Sequence, residues 1–285
     1  MLIRVINPNT TDAMTATIET SARAAAGPGT LIEAITPVMG PASIESHYDE
    51  ALAVPGILHA ITSGPPADAH VIACFGDPGL DAAREIADGP VIGIAEAAMH
   101  AATLLGRGFS VVTTLSRTRG RAWDLAARYC PPGACRGVHA TDIPVLDLTP
   151  DSLKQVVALA RHALDHDGAD AIVLGCAGMA DLCAAATLEL GVPVIDGVAA
   201  AVTLAEALVR LRLRTSTRDE YAFPPSKPYL GLLQSFGELS NRSRYSSPIL
   251  HPTLRIISLP VFSTIDFLDA GRPSYAVCRC AGRLR

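Results

Sequence analysis

The chain has 285 residues, 49% of them hydrophobic, and a formal net charge of −5. That length buries a full core, as one large domain or two small ones. The modest charge, with no block of like charges, argues against nucleic acid or an anionic membrane surface as the main partner. No apolar run reaches the ~18 residues of a membrane span. "MLIRVINPNTT" shows no basic stretch followed by a long apolar one, so no secretory signal is read there. Seven cysteines, an odd number, then read as reduced thiols in a cytoplasm.

Short apolar, β-branched runs alternate with Ala-rich helical stretches along the chain. "LIRVI" leads to a helix from about Thr11, and "TLIEAIT" to a helix through "ESHYDEALAV". "HVIAC" precedes "GLDAAREIA", and "PVIGI" precedes "AEAAMHAATLL". "FSVVT" leads into "RTRGRAWDLAARY", and a weaker "RGVHA" leads to "DSLKQVVALARHAL". "AIVLGC" precedes "MADLCAAATLEL", and "VPVID" precedes "VAAAVTLAEALVRL". Strands that alternate with helices in this way build βαβ units and parallel sheets. Their near-continuous apolar character fits sheets covered on both faces.

The series restarts at its middle. "ADAHVIAC" at 67–74 and "ADAIVLGC" at 169–176 share five of eight residues, and Cys176 follows Cys74 by 102 positions. The Pro-Val-Ile at 193–195 follows the one at 90–92 by 103. Two matches at nearly one offset predict an α/β fold of two pseudo-symmetric lobes. Each lobe is a parallel four-stranded sheet flanked by helices, with the active site in the interlobe cleft. Residues 1–106 form lobe 1, which the helix near 197–212 is a candidate to complete, and residues 107–229 form lobe 2. From 230 to 285 the composition changes: the last 54 residues hold three Ala, seven Arg, no Lys and three acids. No sustained period runs through them, so a poorly ordered tail is expected.

In an open parallel sheet, ligands bind beyond the carboxyl ends of the strands. Cys74 and Cys176 both follow a strand and precede a helix, where free N–H groups are expected to lower a thiol's pKa. Facing each other across one cleft, two equivalent thiols suit inversion of a carbon centre. One removes a hydrogen from one face and the other returns a proton to the opposite face. Asn9, Thr10, Ser43, Ile44, Thr113 and Thr114 fall at the same edge and suit an amide-rich ligand. Gly76 and Gly178 permit close approach to the backbone. No Arg or Lys stands in the loops beside either cysteine, which favours a neutral or weakly anionic small molecule.

The remaining polar residues have plainer readings. Cys183 fills core, and His47 and His100 are structural partners. Asp77 caps the helix that follows it. Arg117, Arg119 and Arg121 mark a solvated helix start. Cys130, Cys135 and His139 lack the tight spacing and second ligand pair of a zinc site, so no metal is expected. Neither G-x-G-x-x-G after a strand nor a phosphate loop is present, so no cofactor is expected.

Taken together, "INPNTT", "GPASIESHYDEA", "IACFGDPGLDAARE", "GPVIGIAEAAMHAA", "VVTTLSRTR", "IVLGCAGMADL" and "VPVIDGVAAAV" resemble the aspartate/glutamate/hydantoin racemase superfamily. The likeness is strongest to its hydantoin racemase and allantoin racemase branch, and it runs from residue 2 to about 229. It implies a cofactor-independent racemase with a two-lobed fold whose catalytic cysteines fall on Cys74 and Cys176. It places substrate contacts at Asn9, Ser43, Ile44, Gly76, Thr113 and Gly178, and it implies a homo-oligomer. "CFGDPG" points to racemisation of 5-monosubstituted hydantoins, with allantoin as the alternative substrate. A cysteine-dependent lyase or isomerase on the same scaffold, or a non-catalytic small-molecule binding protein, are the readings outside that branch. The tail after "PYLG" has no counterpart in the resemblance.

Overall fold

The computed structural model describes residues 1–238. In the first half, β1 (Leu2–Ile6), α1 (Asp12–Ala25), β2 (Leu31–Ile35) and α2 (His47–Thr62) come first. They are followed by β3 (Ala69–Ile72), α3 (Leu80–Ile86), β4 (Val91–Gly93) and α4 (Ile94–Leu105). The second half repeats the alternation: β5 (Phe109–Thr113), α5 (Arg119–Tyr129), β6 (Cys135–Ala140) and α6 (Leu153–Asp167). It ends with β7 (Ala171–Leu174), α7 (Cys183–Leu190), β8 (Val194–Ile195) and α8 (Gly197–Arg210).

Two parallel sheets result, ordered β2-β1-β3-β4 and β6-β5-β7-β8. Adding four to each strand number of the first sheet reproduces the second, so the repeat in sequence is a repeat in topology. All of β3, β5 and β7 is buried. Helices on both faces remove the polar side that would otherwise make a strand alternate.

The helices do not all stay with their own half. Ile18 and Ala22 of α1 share a core with Ile3, Val5 and Val71, and so do Val198, Ala201, Val202 and Ala205 of α8. On the other face of this sheet, Ile57 and Ile61 of α2 and Leu80 of α3 pack on Ile6 and Ile72. Conversely, Ala95, Ala98, Met99 and Ala102 of α4 pack with Phe109, Val111 and Val173 of the second sheet, beside Leu125 of α5. Val156 and Ala160 of α6 and Ala186 of α7 cover its far face. The closing helix of each half therefore lies on the sheet of the other. Small side chains make this possible, because the start of α8 meets the start of α4 backbone to backbone. A Cβ on Gly197 would stand 2.6 Å from the Ile94 carbonyl oxygen, so glycine is required there.

Polar ties hold α8 in its place. Asp196 caps it by accepting from the Val198 and Ala199 N–H groups. Further along, Glu206 accepts from the Gly27 N–H at 2.9 Å and from the Thr30 hydroxyl, which joins α8 to the turn before β2.

Two expectations need adjusting. "MADLCAAATLEL" is not one helix: a 3₁₀ helix, Ala177–Leu182, precedes α7. Of the atypical segment 230–285, Gly231–Glu238 forms a 3₁₀ helix, and residues 239–285 lie outside the described residues. Among the described residues no helix is long and apolar enough to cross a membrane.

Inside the first half, Arg4 sits 1% exposed on β1 and donates to Glu33 and to the Ser63 and Pro65 carbonyls just beyond α2. Its register partner on β3 is His70, whose two ring nitrogens are buried with no hydrogen-bond partner among the described residues. Burial, with the Arg4 charge adding to it, lowers the His70 pKa from 6.5 to about 4. The folded state thus holds a neutral ring, and its contribution to stability is full above pH 6.5 and lost as the pH falls through about 4. His70→Leu should raise the unfolding free energy at pH 7 by about 1 kcal/mol, the cost of an unpartnered buried polar group. The same change should flatten the decline towards acid, as urea unfolding at pH 7 and pH 5 will show.

Candidate active site

The carboxyl ends of the two central strands in each sheet open onto one pocket. The turn after β1 supplies Asn9, and the residues after β3 supply Cys74 and Gly76. From the second sheet come Thr113 and Thr114 at the end of β5, and Cys176 and Gly178 after β7. Strand order thus brings together side chains about a hundred positions apart. Cys74 and Cys176 are each two residues beyond equivalent strands, and both are partly exposed.

Their electrostatics differ from the expectation drawn from helix starts. Burial pushes the Cys74 thiol up to about 12 and the Cys176 thiol up to about 11. One backbone hydrogen bond opposes this in each case, from Gly76 to Cys74 and from Gly178 to Cys176, two residues ahead on both sides. The nearby acids Glu50 and Asp77, and Cys176 itself, raise Cys74 further, while Glu45 raises Cys176. No long helix begins at either thiol: α3 starts six residues after Cys74, and Cys176 precedes only a 3₁₀ helix. Desolvation therefore outweighs the local N–H groups.

Of the residues expected to contact a ligand, Asn9, Ile44, Gly76, Thr113 and Gly178 line the pocket. Ser43 does not, because its loop presents Ile44 instead, and Thr10 turns away to the Pro41 carbonyl. Asn7 positions Asn9: its Nδ2 donates to Asn9 Oδ1 at 2.9 Å, and the Thr11 N–H donates to the same oxygen. The Asn9 NH₂ is what remains to offer a ligand. Thr113 is anchored by donating to the Gly175 carbonyl at 3.1 Å, which ties β5 to the strand end carrying Cys176.

Two side chains behave differently from their sequence reading. Asp77 does not cap α3. At a φ of 45° it turns back to accept from the Ala95 and Glu96 N–H groups at 3.1 and 2.9 Å, and so caps α4 from a distance. Burial raises its pKa to about 7. A Cβ on Gly93 would lie 2.2 Å from this carboxylate, so that cap depends on glycine. Arg121 is not solvated either. It reaches from α5 to the first half, where Nη2 and Nε donate to the Gly76 carbonyl at 2.6 and 3.2 Å, and it lines the pocket. Glu50 of α2 stands beside it, with Oε1 3.5 Å from Arg121 Nε. Their charges are opposite and adjacent, so the pocket as a whole stays near neutral. Arg119 donates to the Val138 carbonyl instead, and Arg117 is exposed.

The other candidate residues do not line this pocket. His139 pairs with Asp167 at 2.7 Å and Cys135 donates to the Gly137 carbonyl. Among the described residues no group of three or more His, Cys, Asp or Glu is placed to hold a metal ion. His100 meets the Tyr129 carbonyl at 3.1 Å, His47 lies 3.6 Å from Glu50, and Cys183 donates to the Val194 carbonyl.

The family model described as Asp/Glu/Hydantoin racemase matches residues 3–205, which takes in both sheets and both pocket cysteines. The chain belongs to this family. It is an isomerase of the racemase type, 48% identical over 242 residues to the hydantoin racemase of Pseudomonas sp. (strain NS671), an alignment covering 83% of this chain and 97% of that protein. It is also 48% identical to the hydantoin racemase of Rhizobium meliloti, covering 81% of this chain and 98% of the relative. Among solved structures, allantoin racemase from Klebsiella pneumoniae superposes with a TM-score of 0.80 at 53% identity, covering 82% of this chain and 98% of that one. The racemase fold thus accounts for the chain up to its change of composition.

Two desolvated thiols make a testable prediction. Iodoacetamide labelling of Cys74 and Cys176, read by mass spectrometry of their peptides, should climb about tenfold per pH unit from pH 7 to 10. A plateau below pH 9 would mean that the N–H groups, and not burial, dominate.

Proposed function

We propose that this racemase inverts the C5 centre of 5-monosubstituted hydantoins, allantoin among them, with Cys74 and Cys176 as its acid and base. The observation that carries this reading is two thiols at equivalent positions of two related halves, both lining one pocket. The names of the similar racemases favour the same substrate class. A thiolate with a high conjugate pKa is a strong base towards a carbon acid, and a second thiol of similar pKa is a matched donor. One sulfur takes the C5 hydrogen as a proton, and the electron pair moves onto the neighbouring ring carbonyl oxygen. The other sulfur then gives its proton to the opposite face, and the electron pair returns to form the new C–H bond. The sulfurs end with their protonation exchanged, ready for the mirror-image substrate or for reset by solvent. In this reading the Asn9 amide hydrogens, at the pocket wall, hold the ring carbonyls as charge gathers there.

Cys74→Ala and Cys176→Ala should each lower inversion by about 10²–10⁴-fold. Since the equilibrium constant of a racemisation is one, kcat/KM must fall equally from both enantiomers. Each single variant keeps one base, so in D₂O it should exchange the C5 hydrogen of one enantiomer with retention. Polarimetry with proton NMR reads both effects. A single variant that still inverts near the wild-type rate refutes the two-thiol mechanism.

A further inference from the structure

Glu50 and Arg121 are left over by that mechanism, and their state is unusual. The Glu50 side chain is only 19% exposed, and what reaches its carboxylate is ion-pair contact rather than a close N–H donor. Its neighbours are ion-pair contacts at 3.5 Å to Arg121 Nε and 3.6 Å to His47 Nδ1. A largely buried carboxylate normally accepts several N–H donors. Arg121 is half satisfied too. Gly76 takes Nε and Nη2, while Nη1 has no partner among the described residues. Both side chains line the pocket beside Cys74. The wall therefore presents an acceptor in need of donors next to a donor with hydrogens to spare.

We infer that Glu50 and Arg121 form the subsite for the C5 substituent and select a ureido group over an alkyl or aryl one. A terminal ureido group shows a carbonyl oxygen and a syn N–H along one edge. That edge pairs its oxygen with Arg121 and its N–H with Glu50. The hydantoin ring also has amide edges, but its reacting carbonyl gathers negative charge, which a neighbouring carboxylate would oppose. A substituent carries no such penalty. An alkyl or aryl group here would shield Glu50 from water and supply it with no N–H donor, the situation in which polar sites reject apolar analogues most strongly.

This inference rests on the racemase reading above, and one panel separates the two. Polarimetry gives kcat/KM for allantoin and for 5-benzylhydantoin with the wild type, Glu50→Gln and Arg121→Met. Wild type should favour allantoin by at least about tenfold, and each substitution should lower the allantoin-to-benzyl ratio by at least about tenfold. A wild type that prefers 5-benzylhydantoin overturns the subsite without any variant having to fold, and leaves the racemase reading standing. Folded variants whose ratio is unmoved also overturn it, since the pair then serves the ring or the Gly76 loop. If the wild type inverts neither compound and takes up no solvent deuterium at C5, the racemase reading for this substrate class fails and the subsite falls with it.

Discussion

The contact between α4 and α8 governs the rest of the molecule. Each helix ends one half of the chain and packs on the sheet of the other, and they meet where Gly197 lies against the Ile94 carbonyl. Alanines along both helices let their axes come close, and close packing resists sliding because each displaced methyl loses its neighbours. The relative placement of the two sheets follows from this exchange. So does the pocket, whose walls are the strand ends of both.

Placing thiols at those strand ends has an electrostatic consequence. The surrounding backbone and side chains remove water faster than two N–H groups can replace it, so both sulfurs are held as thiols near neutral pH. Under the mechanism proposed above, the scarce thiolate is a strong base, and its low population sets the cost that bound substrate must offset. The near equality of the two sites reflects equal architecture: the same strand, the same offset and the same backbone donor two residues on.

The symmetry stops at the polar groups around the sulfurs. α8 is capped by the residue directly before it, Asp196, whereas α4 is capped by Asp77, which lies in the loop carrying Cys74. Arg121 crosses from the second half to clasp Gly76 in that same loop. The loop of Cys74 is thus fixed by α4 on one side and α5 on the other. A pseudo-symmetric scaffold can treat two faces of a carbon alike and still hold an asymmetric molecule in one orientation.

Fold class and the placement of the two cysteines at equivalent strand ends were legible in the sequence, for a physical reason. Buried parallel strands need continuous apolar runs, and a duplicated half repeats them at a constant offset, so the eight-residue phrase ending in Cys74 and Cys176 exposed both sheet and site. Local backbone rules also pointed to Asn9, Gly76, Thr113 and Gly178, since each lies at the carboxyl end of a strand or in the short turn after it. Other features depend on partners distant in the chain and left no local mark. Asp77 looked like a cap for its own helix, and only the folded chain sends it to α4. Arg121 looked solvated, and only the packing of α5 on the first half brings it to Gly76 and Glu50. The thiol pKa values fall in this group as well. Sequence shows the hydrogen-bond donors within two residues, but desolvation is summed over everything the fold packs around the sulfur, and that sum exists only in three dimensions.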